Sequence, residues 1–450
     1  MIIILGLCQK LLTVPNTKPA PSVRLFGRVP QRPPPPPVNS TESPASLSHH
    51  STTDDVSSRN SFTYHRHWDV NCPVLFAGDS VAVRDTAESL ARERARNNGS
   101  LPVPSDVEVR QWTQDCKAFR SGARYPTHPM STDEAKFPIA YTIITHTTSA
   151  QVERLLRAIY QPQNIYCIHP DLNSPHDFHR AIRGIASCFP NVFIASKLEE
   201  VQYAGFTRLR ADLNCMNDLI GPQAAGFDWR YLINLCGQDF PLKTNLEIVR
   251  QLQFYNGTND VKSIVPYYVK ERWTSFHHII KNGKVTQTKF RKTPPPHNFT
   301  VYNGNAYFAG TRQFIEYALK DRHALDLLEW SKDTYSPDEN FWSTLHRAPG
   351  APGGFPVSSS RPGHAFRFVK WENGSKPDCL YGTIVRLVCI FAIDYLQYLS
   401  AAPNLFANKF HYSFDPVTIQ CLEEQLDFRS THPLESNHLP KFPTEHMKRP

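Results

Sequence analysis

Between residues 137 and 237, apolar runs of strand length alternate with segments of helical period, and that alternation restricts the chain to one kind of core. FPIAYTIITH (residues 137–146) reads as a buried strand. VERLLRAIY (152–160) follows with Val152, Leu155, Leu156 and Ile159 at helical spacing. NIYCIHPD (164–171) is a second strand, HRAIRGIASC (179–188) a helix and NVFIAS (191–196) a third strand. TRLRADLNCMNDLI (207–220) is a long amphipathic helix, and WRYLINLCG (229–237) a further buried strand. Strand, helix, strand, helix at this spacing builds a largely parallel sheet covered on both faces, so the expected class is α/β. Such sheets bind ligands beyond the carboxyl ends of their strands. Those ends carry His146, His169 with Asp171, and Gln238 with Asp239, which suits a nucleotide pocket. No GxGxxG follows the first strand and no GxxxxGK[ST] occurs, so neither a dinucleotide nor a P-loop fingerprint is present.

Outside this region the pattern is weaker. Packable sequence becomes continuous only near Phe137, and it loosens again from residue 241 to 300. KTPPPHNFT (292–300) must be loop, because consecutive prolines form neither helix nor central strand. NAYFAGTRQFIEYAL (305–319) restarts a strand and then a helix. Residues 324–347 give two helical stretches broken at Ser336-Pro337. Residues 13 to about 65 are rich in Pro, Ser and Thr and read as a disordered stem. The leading MIIILGLC is too short to span a bilayer and lacks the basic region of a signal peptide. No apolar run reaches 18 residues, which excludes a multi-span membrane protein. The 49 Lys and Arg exceed the 41 Asp and Glu by eight. With no zinc-finger spacing and no arginine-rich arm, this balance points away from nucleic acid and suits an anionic small substrate. The absence of a His/Asp ligand cluster argues against a metal-dependent hydrolase on the same pattern.

There are ten cysteines and no CxxC, which argues against structural zinc. Nine cysteines lie within or beside the folded body, so at least one is unpaired. Sequons occur at Asn39, Asn98, Asn256, Asn298 and Asn373. Many cysteines together with several sequons favour an oxidising, secretory compartment.

Five stretches carry a more specific signal: RAIYQPQNIYCIHPD (157–171), YAGFTRLRADLNCM (203–216), YLINLCGQDFPLKTNLEIV (231–249), WSKDTYSPDENFWSTLHR (330–347) and NLFANKF (404–410). From about Asn71 to Glu424 the chain resembles the β-1,6-N-acetylglucosaminyltransferase family, the core 2 and I-branching enzymes of glycosyltransferase family 14. The resemblance implies a GT-A-like fold with a mostly parallel central sheet. It divides the chain into a stem (1–65), an N-terminal part of the lumenal domain (66–136), a nucleotide-sugar-binding half (137–240), an acceptor-binding and catalytic half (241–425) and a tail (426–450). It implies inverting transfer of GlcNAc from UDP-GlcNAc to a 6-hydroxyl of Gal or GalNAc in O-glycans. Family members are Golgi membrane proteins with lumenal catalytic domains. An N-terminal anchor would be missing or incomplete here, and a homodimer is expected. They need no cofactor or divalent metal, and no Asp-x-Asp follows a hydrophobic strand in this chain.

Inverting transfer needs a base for the attacking hydroxyl, positive charge for the leaving diphosphate and a held acceptor. By resemblance, Glu339 of SPDEN is the base, while Asp338 caps or orients. Arg386 and Lys409 meet the diphosphate in place of a metal. Arg386 is further singled out because an arginine inside the apolar run TIVRLVCI is costly unless it meets an anion. Asp171 and Tyr203 resemble the uridine and ribose contacts, Trp371 the aromatic platform under the acceptor sugar, and Arg272 an acceptor contact. Val269 and Asn373 depart from the core 2 pattern, which has lysine and tyrosine there. That leaves open a different acceptor, or a catalytically altered member that binds a glycan or sugar nucleotide. The implied disulfides are Cys72–Cys421, Cys116–Cys188, Cys167–Cys215 and Cys379–Cys389, with Cys236 a free thiol and Cys8 without a counterpart.

Overall fold

The computed structural model describes residues 65–265, 273–355, 366–372 and 378–433, all within one compact unit. Cys8, Asn39, Val269, Arg272 and Asn373, the stem up to residue 64 and the tail from residue 434 lie outside the described residues.

Five helices precede the sheet: α1 (Cys72–Phe76), α2 (Ser80–Arg96), α3 (Asp106–Trp112), α4 (Cys116–Gly122) and α5 (Thr132–Ala135). The folded body therefore begins well before Phe137, with Trp68, Leu75, Leu90, Val109 and Phe119 already in the main core. Most of these helices are too short to show a long apolar stripe. Their starts are marked instead by side-chain caps from Asn71, Asp79, Ser105, Asp115 and Ser131, each accepting a hydrogen bond from a backbone N–H of its first turn.

The alternation after Phe137 builds the sheet. Strands β1 (Ile139–Thr145), β2 (Ile165–Pro170), β3 (Val192–Ile194) and β4 (Tyr231–Cys236) are joined through α6 (Ser149–Ile159), α7 (His176–Ser187) and α8 (Phe206–Ile220). All four strands are parallel. The chain then forms β5 (Asp239–Pro241), α9 (Asn245–Tyr255) and a hairpin of β6 (Phe276–Lys281) and β7 (Lys284–Arg291). It returns as β8 (Ala309–Thr311), antiparallel to β4, giving the order β3-β2-β1-β4-β8. Central β1 is buried along its whole length. Ile139, Tyr141 and Ile143 enter a core with α6, α7 and the C-terminal helix Pro416–Thr431. Ala140 points the other way, into a core with α8 and the helices Arg312–Lys320 and Arg322–Trp330. This two-residue period places an apolar layer on each face of the sheet.

The remaining strands are β9 (Arg367–Val369), β10 (Thr383–Val385), β11 (Val388–Ile390) and β12 (Phe406–Asn408). β5, β12 and β9 form a small sheet, and β10 and β11 a second hairpin. The small sheet is fixed to the end of β4. Arg367 donates to the Asn234 carbonyl (3.1 Å) and pairs with Asp239 (2.7 Å), both side chains being fully buried. Disulfides join Cys72–Cys421, Cys116–Cys188, Cys167–Cys215 and Cys379–Cys389, and Cys236 is a free thiol.

Candidate active site

The segments that leave β1, β2 and β4 interlock at the carboxyl edge of the sheet. Asp171 N donates to the Thr145 carbonyl (2.8 Å), Gly237 N to the Ile144 carbonyl (3.0 Å), and Phe410 N to the Gln238 carbonyl (3.0 Å). The approach at Gly237 leaves no room for a side chain, since a Cβ there would stand 2.4 Å from Thr145 Oγ1. Asp239 does not join this edge. It turns inward to Arg367 and accepts hydrogen bonds from Cys236 N (2.6 Å) and Asn408 Nδ2 (2.8 Å), so it holds structure. His169 is likewise buried, with Nε2 accepting from Glu199 N (3.0 Å).

Asp171 remains at the edge, its Oδ1 accepting from Asn173 N (3.0 Å) and Val201 N (3.2 Å). Around it the structure collects basic groups. The His146 imidazole is pushed down by desolvation; Asp171 opposes this, while Lys409 and Arg386 add to it. The Lys409 ammonium is pushed down by burial; Cys236 and Asp239 oppose this, and Arg386 adds to it. His411 is lowered by burial, then by Lys409 and His146. Asp171, His146, Arg386, Lys409 and His411 therefore share one space. Neither Arg386 nor Lys409 has an ion-pair partner among the described residues. Nothing in the strand pattern points to His411; its proximity to Lys409 in NKFHY is the available signal. Cys236 sits nearby, accepting from Asn408 Nδ2 (3.4 Å), its thiol pushed up by burial and then by Asp239.

Arg386 reaches this space by a route the sequence does not announce. It is not inside a buried strand. Arg386 (φ 53°) and Leu387 (φ 65°) form a two-residue turn between β10 and β11, and both are exposed. Two consecutive positive-φ residues are what a tight hairpin needs, although Gly and Asn are the usual occupants. The desolvation argument for Arg386 therefore fails, because its guanidinium is at the surface. It stands 4.3 Å over the ring of Tyr203, a cation–π contact that holds it toward the strand ends. Trp371, half exposed, bridges by backbone to Val388 beside the same turn, and Glu372 N donates to the Leu387 carbonyl (2.9 Å).

Glu339 approaches from the other wall. Pro337–Glu339 is a single 3₁₀ turn, entered through Ser336 at φ 43°, and the helix Phe341–Leu345 starts only after Asn340. Ser336 N donates to the Ala204 carbonyl (2.8 Å), which ties this turn to the residue after Tyr203. The Glu339 carbonyl accepts from Gly304 N (2.8 Å) and Ser343 Oγ (3.3 Å), fixing its backbone. Tyr335 is raised by burial, then by Tyr203, Glu339 and Asp338. Asp338 makes no helix cap, since the helix after it starts from Asn340. It is buried, and desolvation pushes its carboxyl up to about 7; Arg208 opposes this, and Glu339 and Asp212 reinforce it.

The described sequon asparagines Asn98, Asn256 and Asn298 are exposed, each at positive φ. A cavity of about 760 Å³ lies elsewhere, between His65, Arg154, Tyr160 and the C-terminal helix. Strand ends and convergent polar groups, rather than cavity size, locate the candidate site. Among the described residues no helix is long and apolar enough to cross a membrane, and no His/Cys/Asp/Glu cluster with the makings of a metal site occurs.

A family model described as Core-2/I-Branching enzyme matches residues 139–400. The chain is 42% identical over 372 residues to a Danio rerio beta-1,3-galactosyl-O-glycosyl-glycoprotein beta-1,6-N-acetylglucosaminyltransferase 4, covering 80% of this chain and 84% of that protein. It is 40% identical over 379 residues to the Homo sapiens beta-1,3-galactosyl-O-glycosyl-glycoprotein beta-1,6-N-acetylglucosaminyltransferase, covering 81% and 87%. It is 45% identical over 313 residues to the Homo sapiens N-acetyllactosaminide beta-1,6-N-acetylglucosaminyl-transferase, covering 68% and 77%. The α/β architecture with a mostly parallel central sheet is consistent with a GT-A-like glycosyltransferase fold. With more than half of its length inside the family model and most of it aligned to these relatives, the chain belongs to the Core-2/I-branching enzyme family.

Proposed function

We propose that this chain transfers GlcNAc from UDP-GlcNAc to the 6-hydroxyl of a Gal or GalNAc residue in an O-linked glycan, with inversion and without a divalent metal. The observation that carries the reading is the family match, whose span contains Asp171, Tyr203, Glu339, Trp371 and Arg386. Asp171 and Tyr203 hold the uridine and ribose, and Trp371 and Arg272 hold the acceptor. Glu339 takes the proton of the 6-hydroxyl as its oxygen attacks the anomeric carbon. The bond from that carbon to the diphosphate breaks, and its electron pair leaves with UDP. Arg386 and Lys409 offset the charge that grows on the diphosphate, a role a metal ion fills in other sites. Neither forms an ion pair among the described residues, which supports this assignment. Four disulfides suit an oxidising compartment. We place the domain in the Golgi lumen, anchored through its N-terminus and as a homodimer, as part of the same reading.

The test is a transfer screen with UDP-GlcNAc against Galβ1-3GalNAc, GlcNAcβ1-3Gal and free GalNAc, with linkage read by NMR, in EDTA and in Mn²⁺. A β-1,6 product on Galβ1-3GalNAc that persists in EDTA is expected. Binding of UDP without product on any acceptor would leave a binding protein. Activity lost in EDTA and restored by Mn²⁺ would remove the role given to Arg386 and Lys409.

A further inference from the structure

From Arg272 to Ile315 the chain contains no Asp or Glu, yet seven Lys and Arg, in a protein whose total excess is eight. The centre of this stretch is the β6/β7 hairpin. Lys281, Lys284, Lys289 and Arg291 are exposed, and none is ion-paired among the described residues. Lys281 stands directly opposite Lys284 in the ladder, an arrangement that repels. Lysines on open strand edges also guard against aggregation, but a glutamate would repel a neighbour as well, so protection does not account for a single sign. Between the cations lie Ile279, Ile280 and Phe290, exposed at 54%, 61% and 63%.

A two-stranded hairpin is marginal by itself, and this one is held at both ends. At its base Asp333 pairs with Lys292 and His277. At its tip Gln202 Nε2 donates to the Gly283 carbonyl (2.9 Å). Gln202 adjoins Tyr203. Trp273, just before β6, packs on Tyr335 at 4.7 Å between ring centres, four residues ahead of Glu339. The basic hairpin is thus fixed alongside the wall that carries Glu339.

We propose that the β6/β7 hairpin docks an acidic stretch of the acceptor polypeptide next to its glycosylated residue. The proposal rests on the transferase reading and adds an acceptor class to it. Phe276 to Lys281 spans about 16 Å, longer than a disaccharide and suited to an extended peptide. The interleaved apolar side chains give such a peptide surface to lie on. Exposed charges at this spacing act mainly through encounter rate and are screened by salt.

The experiment uses the full chain and two glycopeptides that both carry Galβ1-3GalNAc, one flanked by Asp and Glu, one by neutral residues. Turnover of the free disaccharide reports the transferase reading separately, and fluorescence anisotropy of each labelled glycopeptide reports docking without turnover. Binding and kcat/KM should favour the acidic glycopeptide by about tenfold at low salt, and the preference should vanish at high salt. K281E/K284E/K289E should abolish the preference and leave free-disaccharide turnover unchanged. Should that variant fail to fold, K284Q/K289Q should still reduce the preference. Equal binding of the two glycopeptides by the wild type, or a preference unchanged in the folded variant, overturns the proposal. Variant-sensitive binding to phosphatidylserine vesicles without a peptide preference overturns it in favour of a membrane surface.

Discussion

Where the N-terminal segment meets the C-terminal helix, Arg154 and Arg157 are buried against carboxylates; at the carboxyl edge of the sheet, Arg386 and Lys409 are not. Arg154 pairs with Glu423 and donates to Tyr412 Oη (2.7 Å), while Arg157 pairs with Glu423 (2.7 Å). His65 bridges Glu153 (2.7 Å) and Tyr412 (3.0 Å), and Tyr125 donates to Glu153 (3.0 Å). Burial alone would raise the Glu153 carboxyl, but Arg157, His65 and Tyr125 outweigh it and hold it at about 2. A buried cation that meets its counter-charge inside the protein belongs to the fold. Arg386 and Lys409 repel each other and form no ion pair among the described residues, and in the proposed reading an arriving diphosphate would relieve that repulsion. The first cluster should govern stability and the second ligand affinity, and variants can separate them.

The largest expected effect is on the first cluster. Arg154→Ala leaves Glu423 buried with one partner fewer, and should cost about 3–5 kcal/mol in urea unfolding, with UDP affinity of the folded fraction unchanged. Loss of UDP binding at intact stability would break the division. Next is the covalent tie in the same region. Cys72–Cys421 closes a loop across 349 residues, and its removal by paired Ser substitution should cost about 2–5 kcal/mol, again read by urea unfolding.

A smaller effect sharpens the contrast within the site. Asp338 titrates near 7 in the folded protein against an ordinary 3.8. The folded state therefore keeps a proton that the unfolded chain releases, and stability falls as pH rises from about 4 to 7. Asp338→Asn removes that dependence. Its stabilisation relative to wild type should be near zero at pH 4 and reach at least about 1 kcal/mol at pH 8 in thermal melts. A pH-independent difference would mean that Asp338 is not a buried neutral acid.

The sheet was legible because β1 to β4 carry period and length together. The early helices were not, since caps rather than stripes define them. α9 and the first hairpin had local signals that the loose apolar pattern hid. Thr244 and Glu247 form a reciprocal capping box, and Asn282-Gly283 is a favoured hairpin turn. Arg386 misled because TIVRLVCI reads as one strand until two positive-φ residues without Gly or Asn break it. The strand-end rule named Asp171 together with His169 and Asp239, and of these three the structure leaves Asp171 at the edge and turns the other two inward. Glu339, Lys409 and Trp371 came from family resemblance, since an acidic residue in a first helical turn or a lysine after a strand is ordinary in isolation.

The most direct test of the account compares Glu339→Gln with Arg386→Ala, using steady-state transfer kinetics and calorimetry with UDP. Glu339→Gln keeps the shape and removes the proposed base, so kcat should fall by at least about 10² while the UDP dissociation constant stays nearly unchanged. Arg386→Ala should weaken UDP binding and slow transfer together, because the guanidinium acts on charge already present in the bound donor. Near-normal turnover in Glu339→Gln, or unaltered UDP affinity in Arg386→Ala, would contradict the division of the site into an acceptor-side base and a cationic diphosphate clamp.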